Sequence, residues 1–165
     1  MLNRYKLVIQ YDGKQYFGWQ LQKDVRTVQY VIEKAILKIQ KSKNRIKIFG
    51  SGRTDAGVHA WGQVAHFDLD TRLDETNLKN ALNSNLPEDC RIIIIKKVNT
   101  DFHSRHNASR RYYRYQCYTG ESILFRNQCW LTPKLNIEFL NDLAKCLIGN
   151  KDFLSFCKFR KDLNT

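Results

Sequence analysis

A chain of 165 residues with 42% hydrophobic content is long enough to bury a core, and that excludes a disordered tail. Its 28 Lys and Arg against 16 Asp and Glu leave a formal net charge of +12, which points to an anionic partner, most often nucleic acid. Five cysteines, Cys90, Cys117, Cys129, Cys146 and Cys157, include no Cys-x-x-Cys pair, and their odd number suits a reducing cytoplasm better than a disulfide framework.

From the amino terminus, no apolar stretch of signal-peptide length is present, and the longest isoleucine run, 92–95, is far too short to span a bilayer. The expectation is a soluble cytoplasmic protein with no membrane partner. Residues 5–11 alternate as a first strand, stopped by the turn chemistry of Asp12-Gly13. A loop with Tyr16, Phe17 and Trp19 follows. Phe17 and Trp19 read as core, although loop aromatics also stack on splayed RNA bases. Thr27 is placed to cap a helix whose apolar positions Val28, Val31, Ile32, Ala35, Ile36 and Ile39 repeat at helical spacing.

The alternating runs 45–49 and 63–67 read as two strands joined by a loop. Gly50, Gly52, Gly57 and Gly62 lie in or beside it, with Asp55 at its centre next to Arg53 and Thr54. Such a loop is either a tight turn whose carboxylate caps a backbone N–H or a site built around an acid. It matches neither the Walker A pattern nor the dinucleotide fingerprint, so it does not by itself name a reaction.

Asp74 caps a second helix with Leu78, Ala81 and Leu82 facing inward, and Pro87 prevents its continuation. The run 90–98, with four consecutive isoleucines, reads as a strand buried on both faces. Strand, helix, strand, strand, helix, strand is the split βαβ, ferredoxin-like plan of an α+β protein: a mixed or antiparallel sheet with helices on one face.

Across 102–118, Arg105, Arg110, Arg111 and Arg114 interleave with His103, His106, Tyr112, Tyr113, Tyr115 and Tyr118. A strand over 111–118 would put Tyr113 and Tyr115 on one face and Tyr112 and Arg114 on the other. Either it is a solvated basic strand or it contacts RNA, and arginine forks beside tyrosine faces favour RNA. A third helix is expected over 137–148, with Leu140, Leu143, Ala144 and Leu147 on one side and Gly149 ending it. A charged stretch, 158–165, closes the chain. No metal site is expected, because His59, His66, His103 and His106 have no Cys pair or Glu at ligand spacing.

Gly52-Arg53-Thr54-Asp55-Ala56-Gly57-Val58-His59-Ala60 resembles the signature of the tRNA pseudouridine synthase A family. The resemblance extends, in the family's order, to Tyr11-Asp12-Gly13, Tyr16-Phe17-Gly18-Trp19-Gln20, Asn83-Ser84-Asn85-Leu86-Pro87, Asp101-Phe102-His103-Ser104-Arg105 and Arg111-Tyr112-Tyr113-Arg114-Tyr115. It implies isomerisation of uridine to pseudouridine in the tRNA anticodon stem-loop, without cofactor, because nothing is oxidised and no group is donated. Asp55 would be the catalytic nucleophile and Tyr113 would stack on the target base. Arg53 would hold a phosphate or pair with Asp55, and His59, Arg105, Arg111 and Arg114 would add substrate contacts.

Family members run beyond Thr165. The resemblance therefore implies a ferredoxin-like catalytic subdomain over 1–100, an incomplete second subdomain beginning over 101–165, and a homodimer at full length. Two alternatives stay open, an inactive fragment of such an enzyme and a non-catalytic RNA-binding module. Against the module, no RNP1-like octamer is present and binding alone leaves the Asp55 loop unexplained.

Overall fold

The computed structural model describes residues 2–40, 44–126 and 128–156. Cys157 and the charged stretch 158–165 lie outside them. The chain falls into two compact units, Met1–Tyr112 and Tyr113–Thr165.

In the first unit, strand β1 (Asn3–Tyr11) turns Tyr5, Leu7, Ile9 and Tyr11 into the core at every second position. Helix α1 (Val28–Gln40) begins after Thr27, whose hydroxyl accepts from the Tyr30 N–H at 3.3 Å. It buries Val28, Val31, Ile32, Ala35 and Ile36, and the larger of these contribute about 1.5–3 kcal/mol each by leaving water. Strands β2 (Phe49–Gly50) and β3 (Ala60–Leu69) follow, then helix α2 (Glu75–Asn83) and strand β4 (Cys90–Val98). Asp74 caps α2 by accepting from the Asn77 N–H at 2.8 Å, and Leu78 and Leu82 are its buried side.

The sheet order is β2-β3-β1-β4 and every pairing is antiparallel. With helices between β1 and β2 and between β3 and β4, this is the expected α+β split βαβ arrangement.

Four local expectations are corrected in this unit. The run 45–49 is not a strand: only Phe49–Gly50 pairs with β3. The buried carboxylate of Glu33 takes the Ile48 N–H and the Arg45 guanidinium, drawing this backbone to α1 instead of the sheet. Phe17 is 57% exposed, whereas Trp19 is buried as expected. The isoleucine run is not buried on both faces, since Ile93 and Ile94 are 44% and 47% exposed on an edge strand. Val8 faces Ile94 while Ile9 faces Ile92, so Ile93 is the extra residue of a β-bulge. The bulge shifts the phase, and Ile92 and Ile95, three apart, both point inward against Ile9 and Leu7. The fourth correction concerns the expected strand over 111–118, of whose residues 111 and 112 lie here outside any strand.

In the second unit, only Cys117–Tyr118 of that run is strand. It is β5, paired in parallel with β6 (Trp130–Leu131). Alternation describes which faces a strand would show, but a ladder also needs a partner edge: the Gln116 carbonyl accepts from the Trp130 N–H at 2.8 Å, while 113–115 lies outside any strand. Helix α3 (Ile137–Lys145) is capped by Asn136, which accepts from the Phe139 N–H at 3.0 Å. It ends before the expected 148 because its last turn tightens: Cys146 and Leu147 donate to Leu143 and Ala144, three residues back. Leu140, Leu143 and Leu147 are exposed.

Candidate active site

The loop 51–59 leaves β2 and returns as β3, and it is held chiefly by the segment 11–19. The Trp19 N–H donates to the Thr54 carbonyl at 3.0 Å, the Gly57 N–H donates to the Tyr16 carbonyl at 3.1 Å, and the Tyr11 and Thr54 hydroxyls meet at 2.9 Å. This backbone-to-backbone approach requires glycine. Gly18 has φ +82°, and a Cβ there would lie 2.4 Å from the Thr54 carbonyl oxygen; a Cβ on Gly13 would lie 2.0 Å from that of Val58. At the other arm, Ser51 donates its N–H to the Val64 carbonyl at 2.7 Å, and Gln63 Nε2 donates to the Gly52 carbonyl at 2.6 Å.

The clamping segment is itself anchored. Tyr16 donates its hydroxyl to Asp89 Oδ1 at 2.6 Å, and Arg26 grips the same carboxylate at 2.7 and 2.8 Å while lying over the Tyr16 ring. Burial pushes the Tyr16 phenol up, and the Asp89 hydrogen bond adds to it, so the hydroxyl stays a donor. Burial would raise Asp89, but Arg26 and then Tyr16 outweigh it and hold the carboxyl below its ordinary range.

Asp55 stands exposed in this fixed loop. Among the described residues its side chain makes no hydrogen bond or ion pair; only its backbone carbonyl is used, by the Val58 N–H at 3.3 Å. The carboxylate therefore caps no N–H there. Arg53 is also exposed and forms no ion pair with Asp55 among the described residues. His59 Nδ1 sits 3.0 Å from Asp12 Oδ1 and 3.2 Å from the Gly13 N–H, so this histidine also ties the loop to the segment 12–13.

Arg111 reaches the same loop. Its Nη2 donates to the Ser51 carbonyl at 2.9 Å and lies 3.5 Å from that of Arg105. Arg105, exposed, belongs to a segment, 100–107, fastened across β1 and β3: Arg4 pairs with Asp68 at 2.7 and 2.8 Å and donates to the Thr100 and Phe102 carbonyls. Arg53, Asp55, His59 and Arg111 thus share the loop or touch it, and Arg105 adjoins Arg111. Tyr113, 78% exposed, and Arg114 belong to the second unit.

Sequence reasoning missed the Tyr16–Arg26–Asp89 anchor, since none of the three stands near another in a recognisable pattern. It also missed the glycine requirement at Gly13 and Gly18, for which Asp12-Gly13 and Gly18-Trp19 were the available signals. Among the described residues, no three His, Cys, Asp or Glu groups converge as metal ligands, and no helix is long and apolar enough to cross a membrane.

The model of a family described as tRNA pseudouridine synthase matches residues 7–107. A tRNA pseudouridine synthase A from Pseudothermotoga lettingae is 42% identical over 160 residues, covering 95% of this chain and 64% of the relative. Its namesake from Ehrlichia ruminantium is 45% identical over 159 residues, 93% of this chain and 63% of the relative. That from Geobacillus kaustophilus is 37% identical over 166 residues, 99% and 64%. The chain spans just under two thirds of the length of these relatives.

Proposed function

This chain belongs to the tRNA pseudouridine synthase family, and we propose that it serves to isomerise uridine to pseudouridine in the anticodon stem-loop of tRNA, with Asp55 as the nucleophile. The observation that supports this best is an exposed carboxylate with no side-chain partner among the described residues, in a loop whose backbone is clamped on both sides of it. Such a group is free to bond to an electron-poor carbon, and the clamp keeps it in place without occupying its oxygens.

In the proposed reaction the N1–C1′ bond breaks with its electron pair going to the uracil. The base turns, C5 bonds to C1′, and the C5 proton is lost while N1 takes one up, so that product and substrate have the same formula. The bond Asp55 makes to the substrate is released in the same turnover, so the carboxylate is regenerated and no cofactor is consumed. Arg53, Arg105, Arg111 and Arg114 would hold phosphates, His59 would contact the substrate beside the loop, and Tyr113 would stack on the extruded base. The full-length protein would act as a homodimer in the cytoplasm, with residues 1–100 as the catalytic subdomain and 101–165 opening the next.

Carbodiimide mapping of an unmodified anticodon stem-loop after incubation with the protein tests the reading. Pseudouridine in the stem-loop is expected; RNA that is bound but unmodified would return the protein to a binding module. The affinity for tRNA should fall by roughly a hundredfold or more between about 50 and about 200 mM salt if these arginines meet phosphates, and a salt-indifferent affinity would refute those contacts. Tyr113→Phe should keep most of the binding, while Tyr113→Ala should lose about 1–3 kcal/mol of stacking. Equal losses in both would move the role to the hydroxyl.

A further inference from the structure

Ser104 and His66 are each only 2% exposed, and they join the segment 100–107 to the sheet. The Ser104 N–H donates to His66 Nδ1 at 3.2 Å, and its hydroxyl donates to the Phe49 carbonyl at 2.7 Å with the oxygen 2.9 Å from Nδ1. Phe49 stacks on the imidazole at 5.0 Å between centroids, and Phe102 and His103 pack against it at 6.1 and 4.6 Å. Phe49 opens β2, the strand from which the Asp55 loop departs. One end of this joint is therefore the launching point of the loop, and the other lies directly before Arg105. Arg111 closes the circuit by bonding to Ser51, the first residue of the loop, and to Arg105.

We infer that His66 and Ser104 are positioning residues, which hold the segment carrying Arg105 and Arg111 against the loop 51–59 and so set where RNA phosphates lie relative to Asp55. The inference rests on reading Arg105 and Arg111 as phosphate contacts. Three features separate this joint from ordinary core packing. It is polar and buried, so breaking it leaves an unsatisfied hydroxyl or carbonyl. It is specific, because the imidazole must accept at Nδ1. It also links two segments 38 residues apart in sequence.

The surroundings keep that acceptor available. Burial first, then His103 and Arg4, lower His66 to about 4, against a weaker opposing pull from Asp68. Lys6, directly opposite on β1, adds a further cation on the same side. The imidazole is thus neutral near pH 7. A folded value below the ordinary value of about 6.5 means the unfolded chain takes up the proton first. The joint is at full strength above about pH 6.5 and weakens as pH falls toward about 4.

Hydrogen exchange without RNA, followed by tRNA titration, tests the inference on Ser104→Ala and Ser104→Thr. Ser104→Ala should speed exchange of amides at 103–107 and at Ser51 by about fivefold or more, leaving β1 and β4 unchanged, and Ser104→Thr should restore protection. In titrations, Ser104→Ala should weaken binding several-fold and lower the salt slope by about one. Combined with Arg105→Ala and Arg111→Ala, it should bind no worse than those two changes alone, because it acts through these residues. Wild-type protection of 103–107 should decline between about pH 6.5 and about 4, with no such decline in His66→Asn, which keeps an acceptor that does not titrate. Unchanged exchange in Ser104→Ala, or a further loss when it is added to the Arg105→Ala, Arg111→Ala pair, would overturn the inference. Wild-type protein that binds no tRNA would instead overturn the functional reading, and the exchange result would still decide whether the joint holds the segment.

Discussion

Asp55→Asn should abolish pseudouridine formation, by at least about a thousandfold in single-turnover assays, while tRNA affinity changes less than about twofold. The carboxamide keeps the size and shape of the side chain but has neither the negative charge nor the nucleophilic oxygen. Because the Asp55 side chain has no partner among the described residues, removing its charge breaks no contact seen there. Stability should therefore stay within about 0.5 kcal/mol of wild type, as for surface substitutions that leave no group unsatisfied. This combination separates chemistry from folding. A variant that turned over within tenfold of wild type would remove Asp55 from the reaction, and one that lost activity together with several kcal/mol of stability would make it a structural residue.

Gly18→Ala should lower the rate sharply although it lies outside the loop itself. At φ +82° an alanine costs about 1–2 kcal/mol in backbone strain, and its Cβ would also lie 2.4 Å from the Thr54 carbonyl and 3.2 Å from the Asp55 carbonyl carbon. Those atoms are backbone, so the loop must move or the Trp19–Thr54 hydrogen bond must break. A displacement on the order of 1 Å at a reacting group costs on the order of a hundredfold in rate. Gly57→Ala is the control. Gly57 has φ +80° but nothing within 4 Å of the added carbon, so it should show the strain in thermal unfolding with a much smaller loss of rate. Equal rates for the two variants would mean that the clamp between Gly18 and Thr54 does not position Asp55.

Much of the first unit could be read directly from residues. β1, α1, α2 and β4 stand where alternation, helical spacing and the caps Thr27 and Asp74 put them, because these signals act within a few residues. The same local rules failed wherever a distant group intervened. Glu33, on α1, took the Ile48 N–H and shortened β2; the isoleucine run became a bulged edge strand with Ile93 and Ile94 exposed; and 111–116 lies outside any strand. Phe17 and Trp19 are two residues apart and equally apolar, yet one faces water and the other the core, since their loop is bent around Thr54 by Gly18.

The candidate site divides along the same line. An acid in a glycine-rich loop between two strands, next to Arg53, in a strongly basic chain, is legible in the residues alone, and the resemblance of that loop singles out Asp55. The tertiary structure alone decided what holds the loop: Trp19 and Tyr16 on the backbone of Thr54 and Gly57, Arg26 and Asp89 behind Tyr16, and Ser104 on His66 behind Arg111. The physical reason is range. Periodicity, capping and turn chemistry act between neighbours in the chain and leave a local pattern. A carbonyl met by an N–H from 35 residues away, or a buried hydroxyl matched to an imidazole across the sheet, leaves no such pattern, because the partner is chosen by packing and only one of many polar residues ends within reach.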